Sequence, residues 1–212
     1  MRIELINVSY AYSINTDFEK KIIDNINITI ESGKILLVLG PNGSGKTTLL
    51  QIMSLLLKPT SGKVIIDGED AWKNPAKYRK RIGIAFQFPE NQFFSLSVYD
   101  EVTFAPKNFG IENFEEMYKK VMEMFDLDPE EFRNRVPFTL SGGEKRKVGI
   151  ASIVSYDPEI IILDEPFVSL DWEGRFEMLD YIRKWKEMGR GLVIATHHEE
   201  LLEDIADDSL IL

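Results

Sequence analysis

Two hydrophobic periods alternate along the chain. Apolar residues recur at every second position through Ile6, Val8, Tyr10 and Tyr12, and again at Ile26, Ile28 and Ile30, the spacing of half-buried strands. The apolar runs at 35–39, 160–163 and 192–196 are too short for helices and suit strands buried on both faces, and Val64-Ile65-Ile66 before Asp67-Gly68 predicts a short strand and turn. The core resumes at Ile82, Ile84 and Phe86. Between these strands the period lengthens. Leu49, Leu50, Ile52 and Met53 open a helix, Val148, Ile150, Ala151 and Ile153 lie on a second, and Trp172, Phe176, Leu179, Ile182 and Trp185 mark a third. Phe114, Met117, Tyr118, Val121, Met122 and Phe125 form one stripe of an amphipathic helix, whose Met and aromatic content reads first as core. Short buried strands alternating with helices predict an α/β protein with a mostly parallel sheet covered on both faces. From Gln87 to Leu140 the strand pattern gives way to helix, which predicts an inserted helical sub-domain. The polar stretch at 13–21 reads as a loop or hairpin connection.

Composition narrows the class. A chain of 212 residues with 44% hydrophobic and 28% charged residues can bury a full core and is expected to form one domain. Its net charge of −10 disfavours loose binding to nucleic acid, which needs clustered Lys and Arg. With no cysteine, thiolate chemistry and a disulfide framework are excluded. No apolar run approaches a membrane span and the N-terminal residues do not open a signal peptide, so the chain is expected to stay in the cytoplasm unless a partner carries it to a membrane.

The chemistry starts at residues 40–48, Gly-Pro-Asn-Gly-Ser-Gly-Lys-Thr-Thr, which fit the phosphate-loop pattern G-x-x-x-x-G-K-[ST] between a strand and a helix. Gly40, Gly43 and Gly45 let backbone N–H groups approach a phosphate, and Asn42, Ser44 and Thr48 complete the cradle. Lys46 places an ammonium near the β- and γ-phosphates, while Thr47 offers a hydroxyl to Mg²⁺.

Asp164 and Glu165 leave the buried strand at 160–163, at the end where α/β sheets place ligands. Asp164 suits a Mg²⁺ site and Glu165 suits a base acting on water, although an acidic turn would look the same in isolation. Ser141 and Glu144 have the S-x-x-E spacing of a capping box. Gly142 and Gly143 at that helix start equally suit a second anion site, and both readings stand. His197 follows the third buried strand and could hydrogen-bond a γ-phosphate. Gln87 could reach Mg²⁺ or the attacking water, and Tyr12 could stack on an adenine.

Taken in order, these residues resemble an ATP-binding cassette (ABC) ATPase over nearly the whole chain. Residues 40–48 resemble the Walker A loop, Gln87 the Q-loop glutamine, Leu140-Ser141-Gly142-Gly143-Glu144 the LSGGQ signature with Glu for Gln, and 160–165 Walker B. Ser169-Leu170-Asp171 resembles the D-loop, His197 the switch histidine and Tyr12 the aromatic A-loop residue. Phe86-Gln87-Phe88-Pro89-Glu90-Asn91-Gln92-Phe93-Phe94 and the segment 100–106 are similar to ATPases of energy-coupling-factor importers of vitamins or of transition-metal ions such as cobalt and nickel.

The resemblance implies the P-loop ABC ATPase fold: a mostly parallel core sheet, an N-terminal antiparallel β sub-domain and an inserted α-helical sub-domain. It divides the single domain, 1–212, into a nucleotide-binding core at 1–86 and 141–212 and a helical sub-domain at 88–140, with a C-terminal end that looks truncated. It implies ATP and Mg²⁺, with Glu165, His197, Gln87 and Lys46 catalytic and Thr47, Gln87 and Asp164 toward the metal. Ser141, Gly142, Gly143 and Glu144 would serve the ATP of a second subunit. A second ABC ATPase subunit, a transmembrane coupling subunit and a substrate-binding membrane subunit are the implied partners. The location is peripheral, at the cytoplasmic face of the membrane. A soluble cassette ATPase acting on DNA or ribosomes and a non-catalytic nucleotide sensor are the alternatives. Transported substrate is not legible, because selectivity in such importers resides in a separate subunit.

Overall fold

The computed structural model describes residues 1–13 and 20–212. Of the connection expected at 13–21, residues 14–19 lie outside the described residues. The chain divides into two compact units, Met1–Ile84 with Glu159–Leu212, and Ala85–Pro158.

The first unit holds two sheets. Strands β1 (Arg2–Tyr12), β2 (Lys20–Glu31), β4 (Ser61–Ile66) and β5 (Glu69–Asp70) pair antiparallel in the order β2-β1-β4-β5. The second sheet runs β6-β7-β8-β3-β9, from β6 (Ile82–Ala85), β7 (Ile160–Asp164), β8 (Gly191–Ala195), β3 (Ile35–Leu39) and β9 (Asp208–Ile211). Its β7–β8, β8–β3 and β3–β9 pairs are parallel. Helix α1 (Lys46–Met53) touches β2 of the first sheet and β7 and β8 of the second; α2 (Pro75–Arg79) and α7 (Trp172–Glu187) complete the unit. One apolar cluster joins Ile3, Leu5 and Val8 of β1 with Leu36 and Val38 of β3, Leu49, Leu50 and Ile52 of α1, and Ile160 and Ile162 of β7. Every residue of β7 and β8 is buried, as the apolar run 160–163 of β7 and the apolar sequence of β8 predict, and the burial extends to Asp164 at the end of β7.

Two alternation patterns come out differently. In β1 the buried residues are Ile3, Leu5, Val8 and Ala11, whereas Ile6 and Tyr12 are exposed. The cause is a change of register. Asn7 takes φ 50°, and the pairing with β2 shifts between Leu5 and Val8, between Val8 and Tyr10 and between Tyr10 and Ala11, so the side chains that face the core change parity along the strand. Along α7, Leu179, Ile182 and Trp185 are buried as expected, but Trp172 and Phe176 are exposed and pack edge to face on each other with ring centroids 4.7 Å apart.

The second unit is built on α3 (Val98–Asn108), α4 (Phe114–Met124), α5 (Pro129–Phe132) and α6 (Gly142–Val154), with 3₁₀ turns at Pro89–Gln92 and Pro137–Thr139. Tyr118, Val121, Met122 and Phe125 are buried, so the aromatic and Met stripe is core. The unit extends beyond the expected sub-domain boundary at Leu140, because α6 packs on α3, on α4 and on the Pro89–Gln92 turn. An apolar helix stripe announces burial without naming the body it is buried against. No helix of the described residues is long and apolar enough to cross a membrane.

Candidate active site

Parallel pairing brings three strand ends together. Val38 of β3 and Asp164 of β7 both lie opposite Ala195 of β8, so the phosphate loop, the carboxylates and the histidine segment leave the sheet along one edge. The loop folds over that edge on glycine. Gly45 has φ 105°, and a Cβ there would stand 2.9 Å from Ile22 Cγ2 and Ile23 Cδ1; Gly40, at φ 144°, would put one 2.8 Å from the Ser44 hydroxyl. Gly45 caps α1 without a side-chain hydrogen bond, so the helix start is left to backbone N–H groups.

Lys46 is buried. Its Nζ donates to the Gly40 carbonyl at 2.8 Å and the Pro41 carbonyl at 3.4 Å, and faces Glu165 Oε1 at 3.4 Å. Thr47 Oγ1 donates to Asp164 Oδ2 at 2.6 Å. Burial pushes the Asp164 carboxyl above the ordinary range and the Glu165 charge adds to that, while the Thr47 bond and Lys46 oppose it. The Ser44 hydroxyl is buried and has no hydrogen-bond partner among the described residues. An unsatisfied donor, a buried ammonium and a helix start at one loop suit a phosphate.

Glu165 sits at φ 49°, an unusual conformation for a residue with a Cβ, held by its N–H donating to the Ala195 carbonyl at 2.8 Å. Its carboxylate meets Lys46 through Oε1 and His197 Nδ1 through Oε2 at 2.9 Å. The donor in this contact follows the imidazole tautomer, and Nε2 is the ring nitrogen left for another group. His197 is half exposed, and its ring lies 4.1 Å from that of His198, which turns instead to Glu200 at 3.1 Å. Lys46, Thr47, Asp164, Glu165 and His197 are therefore brought together. Thr48 is buried beside them in sequence, and Asn42 and Gly43 are exposed on the loop.

The donors fit Mg²⁺. Thr47 and Asp164 place a hydroxyl and a carboxylate side by side, a hard all-oxygen set. No group of three or more His, Cys, Asp or Glu among the described residues could enclose a metal, so phosphate oxygens and water would complete the shell. Tyr12 is exposed at the end of β1, with its ring edge to face on Tyr10 at 5.0 Å.

Two groups of expected site residues belong to the second unit. Gln87 is exposed, and its backbone carbonyl accepts from Arg146 Nη1 at 3.3 Å. Ser141 caps α6 in a complete capping box: the Ser141 N–H donates to Glu144 Oε2 at 2.8 Å, and the Glu144 N–H donates to Ser141 Oγ at 3.4 Å. Bonds from the Ser141 side chain and N–H, together with Arg135 at 3.0 Å, hold the Glu144 carboxyl below the ordinary range against slight burial. Gly142 and Gly143 are exposed with open space around them. In the cap Ser141 Oγ accepts from the Glu144 N–H while its own proton goes to the Glu144 carboxylate, so binding an anion there would redirect that proton.

Sequence reasoning missed the tie from Arg146 to Gln87, the Ala195 carbonyl that seats Glu165, and the residues beneath Gly45. The Arg146 signal was readable only in part: a charged residue between Glu144 and Val148 on an otherwise apolar face.

A loop, an ammonium, a hydroxyl–carboxylate pair and a carboxylate–histidine pair at one sheet edge define a P-loop nucleoside triphosphate hydrolase. The family model described as ABC transporter matches residues 23–168, and the chain belongs to that family, among the energy-coupling factor transporter ATP-binding proteins. It is 47% identical to the energy-coupling factor transporter ATP-binding protein EcfA2 of Thermotoga maritima over 213 residues, covering 100% of this chain and 79% of that protein. Among solved structures, cbiO1 from Clostridium perfringens, part of the ABC transporter complex cbiONQ, is 32% identical with a TM-score of 0.83, over 99% of this chain and 83% of that one. An ATP-binding cassette solved as a dimer in a post-hydrolysis state with ADP and Pi is 28% identical with a TM-score of 0.86, over 99% of this chain and 94% of the other.

Proposed function

We propose that this chain is the ATP-binding and ATP-hydrolysing subunit that energises an energy-coupling-factor importer of a vitamin or a transition-metal ion. The observation that carries the catalytic part is the Glu165 carboxylate, held between Lys46 at 3.4 Å and His197 at 2.9 Å beside the Thr47–Asp164 pair.

Lys46, the Ser44 hydroxyl and the N–H groups opening α1 bind the β- and γ-phosphates, and Tyr12 stacks on the base. Lys46 exchanges its carbonyl partners for phosphate oxygens and offsets the charge developing on the transferred group. Glu165 accepts a proton from the attacking water, and a His197 ring N–H donates to the γ-phosphate. Mg²⁺ held by Thr47, Asp164 and Gln87 would supply charge neutralisation on the phosphates. Ser141, Gly142, Gly143 and Glu144 present a capped helix start to the ATP of a second ABC ATPase subunit, so that two nucleotides lie between two chains. ATP then favours the closed pair, and ADP, lacking the γ-phosphate, favours opening. The segment from Gln87 to Phe94 faces a transmembrane coupling subunit, and a substrate-binding membrane subunit sets selectivity. The chain works at the cytoplasmic face of the membrane as a peripheral subunit.

Glu165→Gln tests the catalytic assignment: phosphate release should fall by about 10²–10⁴-fold with ATP still bound, and release at the parent rate would refute it. Ser141→Arg tests the shared pocket. It should leave ATP bound to the single chain while removing ATP-dependent dimerisation by light scattering; unchanged dimerisation would refute the shared site.

A further inference from the structure

The chain holds two histidines, consecutive in sequence, and the chemistry described above uses only the first. In an extended chain their side chains would point to opposite faces. Here the ring centroids are 4.1 Å apart, with the planes tilted by 39°. Thr196 makes the difference. Fully buried just beyond β8, and tied to β3 by its N–H on the Val38 carbonyl at 3.2 Å, it accepts the His198 N–H on Oγ1 at 2.9 Å and turns the chain there. The backbone then enters a 3₁₀ turn at Glu199–Leu201, which the buried Leu202 closes with its N–H on the Glu199 carbonyl at 2.8 Å. His198 Nδ1 meets Glu200 Oε1 of that turn at 3.1 Å. The His198 side chain, 20% exposed, is thus held through both backbone and ring. That of His197 is 52% exposed, and among the described residues its hydrogen-bonding contact is with Glu165.

We propose that His198 is a positioning residue for ATP hydrolysis: its ring, anchored by Thr196 and Glu200, is the surface on which the His197 ring rests, keeping Nδ1 on Glu165 and leaving Nε2 for the nucleotide. This rests on the catalytic reading of His197 given above. The physical argument is one of freedom. A half-exposed imidazole with a single hydrogen-bonding contact can swing about its two side-chain torsions and leave Glu165 for water. A second ring packed against it closes off part of that range, and paired aromatic rings attract at this separation. A misplacement of about 1 Å in a reacting group is enough to cost rate, so a ring that wanders slows hydrolysis even when ATP binds as before. Glu200 serves the platform. Its own N–H and the bond from His198 hold its carboxyl below the ordinary range, with the charges of His198 and Arg175 adding and slight burial opposing, so it stays an ionised partner at neutral pH. That exposed contact is weak by itself, and the ring-on-ring contact is what reaches His197.

ATP turnover of the full chain in Mg²⁺ and its ATP affinity are measured for the parent, His198→Ala, His198→Phe, His197→Ala and the His197→Ala/His198→Ala pair. Imidazole nitrogen and proton resonances of the same proteins are recorded alongside. Because the chain has two histidines, each single variant leaves one ring to observe. His198→Ala should lower kcat about tenfold with KM for ATP within about twofold of the parent, and the His197 nitrogen shifts should move toward those of free imidazole. His198→Phe keeps a flat ring on a backbone still held by Thr196, so it should retain kcat to within about threefold and keep the parent's His197 shifts. Adding His198→Ala to His197→Ala should cost no further rate, since His198 acts only through that ring. A further loss in the pair, or an equal loss in His198→Phe, overturns the positioning role. Parent-like kcat in His198→Ala with His197→Ala strongly impaired also overturns it and leaves the catalytic histidine standing. Parent-like kcat in His197→Ala overturns the catalytic reading and this proposal with it. Should no His198 variant fold, absence of magnetisation transfer between the two sets of ring protons in the parent overturns the proposal on its own.

Discussion

The phosphate loop with its carboxylates and the Ser141–Glu144 helix start, the two anion sites proposed above, are built in opposite ways. Around Lys46 the charged groups Lys46, Asp164 and Glu165 are buried, and the polar groups are mutually engaged: an ammonium on two carbonyls and a carboxylate, a hydroxyl on a carboxylate, a carboxylate on a histidine. Around Ser141 the groups are exposed and already satisfied by their own capping box. The buried site gains from ligand by replacing internal partners, so its residues couple stability to activity. The exposed one is complete without a ligand, and its stability is separable from what it binds. That separation suits a surface meant to meet another subunit's nucleotide and to release it.

Substitutions in the two places should therefore fail differently. Lys46→Met should lower ATP turnover by about two to three orders of magnitude by removing charge from the transition state. It should also destabilise the nucleotide-free chain by about 1–3 kcal/mol, because Glu165 is left buried without its cation; a melt equal to the parent's would show that the Lys46–Glu165 contact contributes nothing. Asp164→Asn should split the two properties. Removing a buried charge while keeping an acceptor for Thr47 should raise the nucleotide-free melting temperature, whereas Mg²⁺-dependent turnover should drop by about tenfold or more. A lower melting temperature would contradict the unfavourable burial of that carboxylate.

On the exposed side the effects are smaller. Ser141→Ala should cost about 1 kcal/mol through loss of the helix cap. Single-chain ATP binding should not change; if it does, the comparison between a self-contained site and a shared one breaks down. The smallest effect is that of pH on Glu144. Its carboxyl is held low in the folded chain, so its stabilising contribution is complete above the unfolded value near 4.5 and is lost as pH falls through the folded value. The difference in melting temperature between the parent and Glu144→Gln should accordingly be present at neutral pH and fade in acid. Asp207 offers a control outside both sites. Burial raises its carboxyl, but Lys186, the Ile35 N–H and Lys34 more than compensate and bring it to about 2, so its contribution persists to lower pH.

Most of the candidate site is legible in the amino-acid sequence. The phosphate loop, the carboxylates and the capping box are local: each is a few consecutive residues whose types are demanded by backbone conformation or by the ligand, and each appears where its spacing places it. The strands 35–39, 160–163 and 192–196 are equally plain, since a strand buried on both faces has no polar position to disguise it. The face of β1 is less so. Alternation from Ile6 to Tyr12 points one way, but Ile6 lies in the register that buries Ile3 and Leu5, and the shifts beyond it, starting at Asn7, leave Val8 and Ala11 buried and Tyr12 exposed.

What the amino-acid sequence determined by itself is the chemistry and the class: a P-loop, a carboxylate pair and a signature segment in an order that only one family combines. What the tertiary structure decided is which groups meet. Lys46 and Glu165 lie on different elements far apart in the sequence, as do Thr47 and Asp164, and parallel pairing of β3, β7 and β8 is what brings their ends to one edge. The same holds for His198, whose sequence context shows only a second histidine after a strand. That its ring lies on His197 depends on the turn at Thr196, and that His197 in turn reaches Glu165 depends on β7 and β8 lying side by side, a property of packing that no local pattern encodes.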